Sequence, residues 1–120
     1  MPNILLVDDD EQLRTMLKIV LTRAGHAVKE ARNGNEALQI HASNPAELMI
    51  TDLIMPDREG LDTIREVRRL NPRIKIIAMS GGGRNTAGDY LLLAKRLGAD
   101  YTLAKPFSNH EILSIVDALI

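Results

Sequence analysis

Five polar residues stand directly after short apolar runs. Asp8 and Asp9 follow Ile4-Leu5-Leu6-Val7, and Asp52 follows Leu48-Met49-Ile50-Thr51. Ser80 closes the run that starts at Ile74, and Lys105 follows Tyr101-Thr102-Leu103-Ala104. If those runs are strands of one parallel sheet, all five groups meet at one edge. Three carboxylates that close repel one another, so either a proton is held at raised pKa or a cation is bound. A hard, oxygen-seeking ion such as Mg²⁺, or Mn²⁺ in its place, suits such ligands. A metal beside a carboxylate, with a lysine and a hydroxyl nearby, suits phosphoryl chemistry. Asp52 would attack in line, the metal and Lys105 would neutralise equatorial oxygens, and Ser80 would donate a hydrogen bond to one. Each residue alone has a plainer reading. An Asp after a strand is commonly a helix N-cap, which suits Asp10 and also Asp8. A Lys before Pro is commonly solvated, and a Ser after a strand is commonly a turn residue. The shared position at strand ends favours the chemical reading of all five.

The elements that must position these groups can be followed along the chain. Ile4–Val7 is apolar throughout and ends in acids, as a strand buried on both faces does. Leu13, Met16, Leu17, Val20, Leu21 and Ala24 recur at helical spacing, and Gly25 stops that helix. Ala27–Ala31 reads as a weaker strand nearer a sheet edge. Asn33-Gly34-Asn35 leads into a helix that Asn44-Pro45 breaks. After the strand at Leu48–Thr51 comes a helix with Leu61, Ile64, Val67 and Leu70 facing inward. A fourth strand runs from Ile74 to Met79, and a helix from about Thr86 to Leu97 stops at Gly98. A fifth strand spans Tyr101–Ala104. Ser108 or Asn109 can cap the last helix, which carries Ile112, Leu113, Ile115, Val116 and Leu119.

Five strand–helix pairs in strict alternation predict an α/β fold, a doubly wound parallel sheet with helices on both faces. Right-handed crossovers leave few arrangements, and at this length the strand order 2-1-3-4-5 is expected. In open sheets of this kind ligands bind beyond the carboxyl ends of the strands, where the order reverses, here between strands 1 and 3. The 120 residues are expected to form one domain over 1–120. A net charge of −1 gives no electrostatic case for nucleic acid or a membrane surface. The absence of cysteine excludes disulfides, thiolate catalysis and cysteine-based zinc sites. The amino terminus lacks the pattern of a signal peptide, and no apolar run is long enough to span a bilayer. A soluble, cytoplasmic protein is expected.

With these residues identified, the chain resembles the receiver domains of two-component response regulators. The resemblance rests on Leu6-Val7-Asp8-Asp9, Asp52-Leu53-Ile54-Met55-Pro56, Ser80-Gly81, Gly98-Ala99-Asp100 and Lys105-Pro106-Phe107, and it covers essentially the whole chain. It implies a flavodoxin-like (βα)5 fold and a phosphorelay role. Asp52 would be the phosphoacceptor, taking its group from a sensor histidine kinase or a histidine phosphotransfer protein. Asp9, Asp52 and the backbone carbonyl of Ile54 would ligate Mg²⁺ directly, with Asp8 acting mainly through water. Lys105 and a moving Ser80 would bond the phosphoryl group, and the Lys105–Pro106 peptide would be cis. Such a domain catalyses only its own phosphorylation and dephosphorylation, so it is not an enzyme acting on an outside substrate. The alternatives are a degenerate receiver that only binds protein and a Mg²⁺-dependent phosphatase with an Asp nucleophile. The phosphatase reading lacks the second acid two residues after the nucleophile, where Ile54 stands, and lacks a cap segment.

Several positions depart from the family pattern. Three residues before the lysine, where the family often has Tyr or Phe, stands Thr102, with Tyr101 beside it. Neighbouring strand residues point to opposite faces, so Tyr101 should face away from that position. Gly81-Gly82-Gly83 makes the segment after Ser80 either a loop that orders on phosphorylation or a slack surface loop. Tyr90-Leu91-Leu92-Leu93 spreads four apolar side chains over roughly 300° of a helix, so they cannot all face the sheet. That face is a candidate homodimer or partner surface. His26, His41 and His110 have no ligand spacing and are expected at the surface. Ile54 and Gly82, two positions past Asp52 and Ser80, carry no polar group to position an attacking water. Self-dephosphorylation is therefore predicted to be slow for this family. A phosphoryl lifetime of only seconds in Mg²⁺ buffer, followed by loss of the adduct mass, would refute that.

Overall fold

A computed structural model describes residues 2–53, 60–80, 92 and 94–120. Five strands form one parallel sheet: β1 (Asn3–Val7), β2 (Ala27–Ala31), β3 (Leu48–Asp52), β4 (Lys75–Ser80) and β5 (Tyr101–Ala104). Their order is β2-β1-β3-β4-β5, as the alternation of elements predicted. Helices α1 (Glu11–Arg23), α2 (Gly34–Ser43) and α3 (Gly60–Leu70) and a C-terminal helix (Asn109–Leu119) cover its faces. Residues 92 and 94–97, before β5, are helical too. Ile54, Gly81-Gly82-Gly83, Tyr90, Leu91 and Leu93 lie outside the described residues.

The pleat divides the core in two. Leu5, Val7, Met49, Ile76 and Ala78 pack on one face against Ala37 of α2 and Ile64 and Val67 of α3. Ile4, Leu6, Leu48, Ile50, Ile77 and Met79 pack on the other against Leu17 and Leu21 of α1 and Ile112 and Val116 of the C-terminal helix. Strands β1 and β3 are thus buried on both sides, which is why Ile4–Val7 and Leu48–Ile50 are apolar at consecutive positions rather than alternating. Asp10, Asn33 and Ser108 cap three of the helices, and Ser108 forms a reciprocal capping box with Glu111. Gly25, past the end of α1, has a φ of 98° that a residue with a side chain rarely adopts.

Five expectations about facing do not hold. Met16 is 40 % exposed, Ala24 is exposed and Arg14 is buried. At about 100° per residue Met16 lies a quarter-turn outside the arc of Leu17 and Leu21, while Arg14 lies about 60° off Leu17 on the other side. Leu70 is 58 % exposed. A spacing of strictly three residues drifts about 60° at each step, so Leu70 comes round opposite Leu61. His26 and His41 are buried instead of exposed. His41 follows Ala37 by one helical turn on the inner side of α2, and its Nδ1 accepts the Ala46 N–H at 3.1 Å. Burial pushes the His41 pKa down. Only His110 is at the surface.

The end of the sheet away from the acids is fastened by Arg68. Its guanidinium donates to the carbonyls of Pro72, Ile74 and Gly98 at 2.8, 2.6 and 2.7 Å and to Asp100 Oδ2 at 2.9 Å. Asp100 Oδ2 also accepts the Ile76 N–H. One side chain of α3 therefore sets where β4 and β5 begin, and so where Ser80 and Lys105 end. Replacing Arg68 with Met should lower the unfolding free energy by about 2 kcal/mol, because several charge-assisted bonds to backbone acceptors are lost together. Urea unfolding measures this, and a loss of under about 0.5 kcal/mol, the range of an ordinary surface substitution, would remove the clamp.

Candidate functional site

β1 ends at Val7, so Asp8 is the first residue past its carboxyl end, while Asp52 and Ser80 are the last residues of β3 and β4 and Lys105 follows β5. The order of the sheet sets β1 beside β3 and β5 beside β4, which gathers these residues although 97 positions separate Asp8 from Lys105. The ends are held by backbone bonds. Asp8 N–H donates to Ala31 O at 3.1 Å, Leu53 N–H to Met79 O at 3.0 Å, and Lys105 N–H to Ser80 O at 2.8 Å.

Lys105 Nζ stands 2.9 Å from Asp8 Oδ2 and 3.0 Å from Asp52 Oδ1, bridging two carboxylates. Asp8 is 1 % exposed and Asp52 7 %, whereas Asp9 lies open to solvent. Carboxylate oxygens of Asp8, Asp9 and Asp52 lie within 4.8 Å of one another. Asp8 Oδ1 also accepts the Asp10 N–H at 2.9 Å. Burial raises the pKa of Asp8, against the hydrogen bonds from Asp10 and Lys105. Burial also raises that of Asp52, and the neighbouring charge of Asp8 adds to the rise while Lys105 opposes it. Burial disfavours the Lys105 ammonium, but Asp8 and Asp52 outweigh that and hold its pKa above the ordinary value.

Three ionised carboxylates against one ammonium leave two negative charges unbalanced in a partly dry site. The donors are all hard oxygens and one of them faces solvent. The cluster therefore fits a divalent cation that keeps part of its water shell. Ser80 is 2 % exposed, and its hydroxyl has no hydrogen-bond partner among the described residues.

The structure thus brings together Asp8, Asp9, Asp52 and Lys105, with Ser80 buried at the neighbouring strand end. The Lys105–Pro106 peptide is cis. On β5, Thr102 is half-buried and Tyr101 is 47 % exposed. Leu92 is 51 % exposed. Two residues escaped the sequence reading. Arg14 is buried and donates to the Asp8 carbonyl at 2.8 Å; its signal was a cation set inside an apolar helical stripe. Gly60 starts α3 directly on the backbone of Asp52 and Leu53, where any Cβ would collide with the Asp52 carbonyl. Its signal, a glycine just before a helical pattern, is too common to single out.

A family model described as the response regulator receiver domain matches residues 4–117. The chain belongs to that family. This receiver domain is 32 % identical over 115 residues to the chemotaxis protein CheY of Thermotoga maritima, covering 95 % of this chain and 93 % of that protein. It is 38 % identical over 114 residues to the DNA-binding transcriptional regulator NtrC of Azospirillum brasilense, covering 95 % of this chain but 23 % of that longer protein. Among solved structures, the response regulator TrrA of Thermotoga maritima, in complex with Mg²⁺ and BeF, superposes with a TM-score of 0.87 at 32 % identity over the full length of both chains. Membership makes the chain a signalling domain of the two-component response regulators, in keeping with a role in phosphorelay signalling. Among the described residues no helix is long and apolar enough to cross a membrane.

The raised pKa of Asp52 has a thermodynamic consequence. A carboxyl that binds its proton more tightly folded than unfolded opposes folding at neutral pH, and that opposition fades as pH falls through its folded pKa toward 3.8. In metal-free buffer Asp52→Asn should therefore be more stable than the unmodified chain at pH 7, with the gap closing toward pH 4. Millimolar Mg²⁺ should raise the midpoint of the unmodified chain more than that of the variant. Urea midpoints across pH decide it, and a variant less stable at pH 7 would contradict the charge balance.

Proposed function

We propose that Asp52 accepts a phosphoryl group from a phosphohistidine of a sensor histidine kinase or histidine phosphotransfer protein, and that the adduct switches the domain. The observation that carries this reading is the Lys105 ammonium shared between Asp8 and Asp52 beside a third carboxylate. The Mg²⁺–BeF complex of TrrA, a relative at 32 % identity, supports it.

Asp8, Asp9 and Asp52 would hold Mg²⁺, with the Ile54 carbonyl as a further ligand. The ion supplies positive charge to the phosphoryl oxygens and offsets the repulsion among the acids. A carboxylate oxygen of Asp52 attacks phosphorus in line. The O–P bond forms as the P–N bond to the donor imidazole breaks, and the imidazole leaves with the bonding pair and takes a proton from solvent. Lys105 exchanges its contact with the Asp52 oxygen for one to a phosphoryl oxygen. Ser80 gains the acceptor that its buried hydroxyl lacks among the described residues, which relieves a cost of about 1–3 kcal/mol.

Movement of Ser80 toward the phosphoryl group pulls on the end of β4. The signal would pass outward through β5, where Ala104 is in register with Ser80 and Thr102 and Tyr101 with Ala78 and Ile77. Tyr90, Leu91, Leu92 and Leu93 are proposed to meet a partner or a second copy of the chain. Exposure of Leu92 supports this part. Residues 1–120 would act as one receiver unit in the cytoplasm, without binding nucleic acid or membrane themselves.

The test is incubation with acetyl phosphate and Mg²⁺, followed by intact mass measurement. An adduct of about 80 Da that disappears in Asp52→Ala is the expected result, the mass of one phosphoryl group replacing a proton. Lys105→Met should slow its formation at least about tenfold, the scale of losing one charge-stabilising donor. No adduct would leave a protein-binding role only, and continuous phosphate release would make the chain a hydrolase.

A further inference from the structure

A guanidinium buried on α1 needs strong partners, because an unpaired buried charge costs several kcal/mol. Arg14 is 8 % exposed, and its partners lie toward the acidic cluster. Nη1 donates to the main-chain carbonyl of Asp8 at 2.8 Å, and Nε faces Glu30 Oε1 of β2 at 3.4 Å. Glu30 is braced in turn by Lys18, one turn further along α1, with Nζ 3.4 Å from Oε2.

The carbonyl that Arg14 grips belongs to the peptide joining Asp8 to Asp9. That peptide plane fixes the direction in which both acids leave the end of β1. Asp8 is otherwise held at its N–H by Ala31 O and at its carboxylate by Asp10 N–H and Lys105. None of those contacts fixes the carbonyl. A planar, multiply donating guanidinium can hold a carbonyl and a carboxylate in fixed relative directions, which a flexible ammonium cannot do as well.

We infer that Arg14, held by Glu30, is a positioning residue that orients the Asp8–Asp9 peptide and thereby sets the affinity of the acidic cluster for its divalent cation. This rests on the reading of Asp8, Asp9 and Asp52 as cation ligands. Groups that orient ligands without touching the metal typically change affinity 10–100-fold when removed. The pair also couples the site to the edge strand β2, which supplies no ligand of its own.

The test is Mn²⁺ titration of the whole chain followed by electron paramagnetic resonance of the free ion. Arg14→Met keeps the apolar stem and removes the donors. It should weaken Mn²⁺ binding about 10–100-fold. Arg14→Lys should fall between it and the unmodified chain, and Glu30→Gln, which leaves Arg14 in place, should weaken binding a few-fold. The rate of phosphorylation by acetyl phosphate should recover in Arg14→Met when Mg²⁺ is raised to saturation, a response that general damage to the fold would not give. Arg14→Met binding Mn²⁺ within twofold of the unmodified chain would overturn the inference. Should that variant not fold, unchanged affinity in both Arg14→Lys and Glu30→Gln would overturn it. An unmodified chain whose Mn²⁺ binding is absent, or is not lost in Asp52→Asn, would overturn the cation reading itself and this inference with it.

Discussion

A single ammonium shared between two buried carboxylates organises this molecule. Lys105 neutralises at most one of the charges that Asp8, Asp9 and Asp52 bring to the edge of the sheet. Two like charges held in a partly dry site raise each other's proton affinity and oppose folding. That residual repulsion is what gives a divalent cation something to bind. Burial keeps the Asp52 carboxylate beside the Lys105 ammonium rather than in open water. The lysine must come from β5, the far side of the sheet from β1, so the site cannot exist until strands distant in sequence have docked.

The rest of the fold holds that repulsion in place. Both faces of β1 and β3 are covered by apolar layers, so neither strand end can shift to separate the acids without exposing core. Arg68 fastens the opposite end of β4 and β5 through three carbonyls and Asp100. Gly60 lets α3 begin directly on the Asp52 backbone, which a methyl group would prevent. Arg14 holds the carbonyl of Asp8 from the side of α1. The end of the sheet bearing the acids is polar and strained electrostatically, while the other end carries the fastening. The core therefore does not depend on the contacts made by Ser80, whose hydroxyl has no partner among the described residues.

The elements were plain in the pattern of residues because each expresses a local periodicity. The apolar runs that end in Asp8, Asp52 and Ser80 mark strands buried on both faces, and strict alternation with helices restricts the topology to few arrangements. Faces were harder to read. A spacing of three residues makes Leu61 and Leu70 look like one stripe, yet they lie on opposite sides of α3. His41 carries no signal that separates an exposed position from a buried one satisfied by the Ala46 amide. Arg14 stood among apolar residues, but no local rule says that its guanidinium will find the Asp8 carbonyl.

What the sequence determined by itself was the set of candidate reacting groups and the kind of frame that carries them, because residue type fixes chemistry and hydrophobic period fixes secondary structure. Asp52 and Ser80 end their strands, and Asp8, Asp9 and Lys105 come just after theirs, a placement that the apolar runs of the chain already mark. Only the tertiary structure decided which of them touch. Lys105 reaches Asp8 and Asp52, and Asp9 stays open to water, because distances across a sheet depend on register and twist. Arg14 and Gly60 belong to the site through a carbonyl and a backbone approach, contacts made by groups common to every residue and so invisible in residue identity.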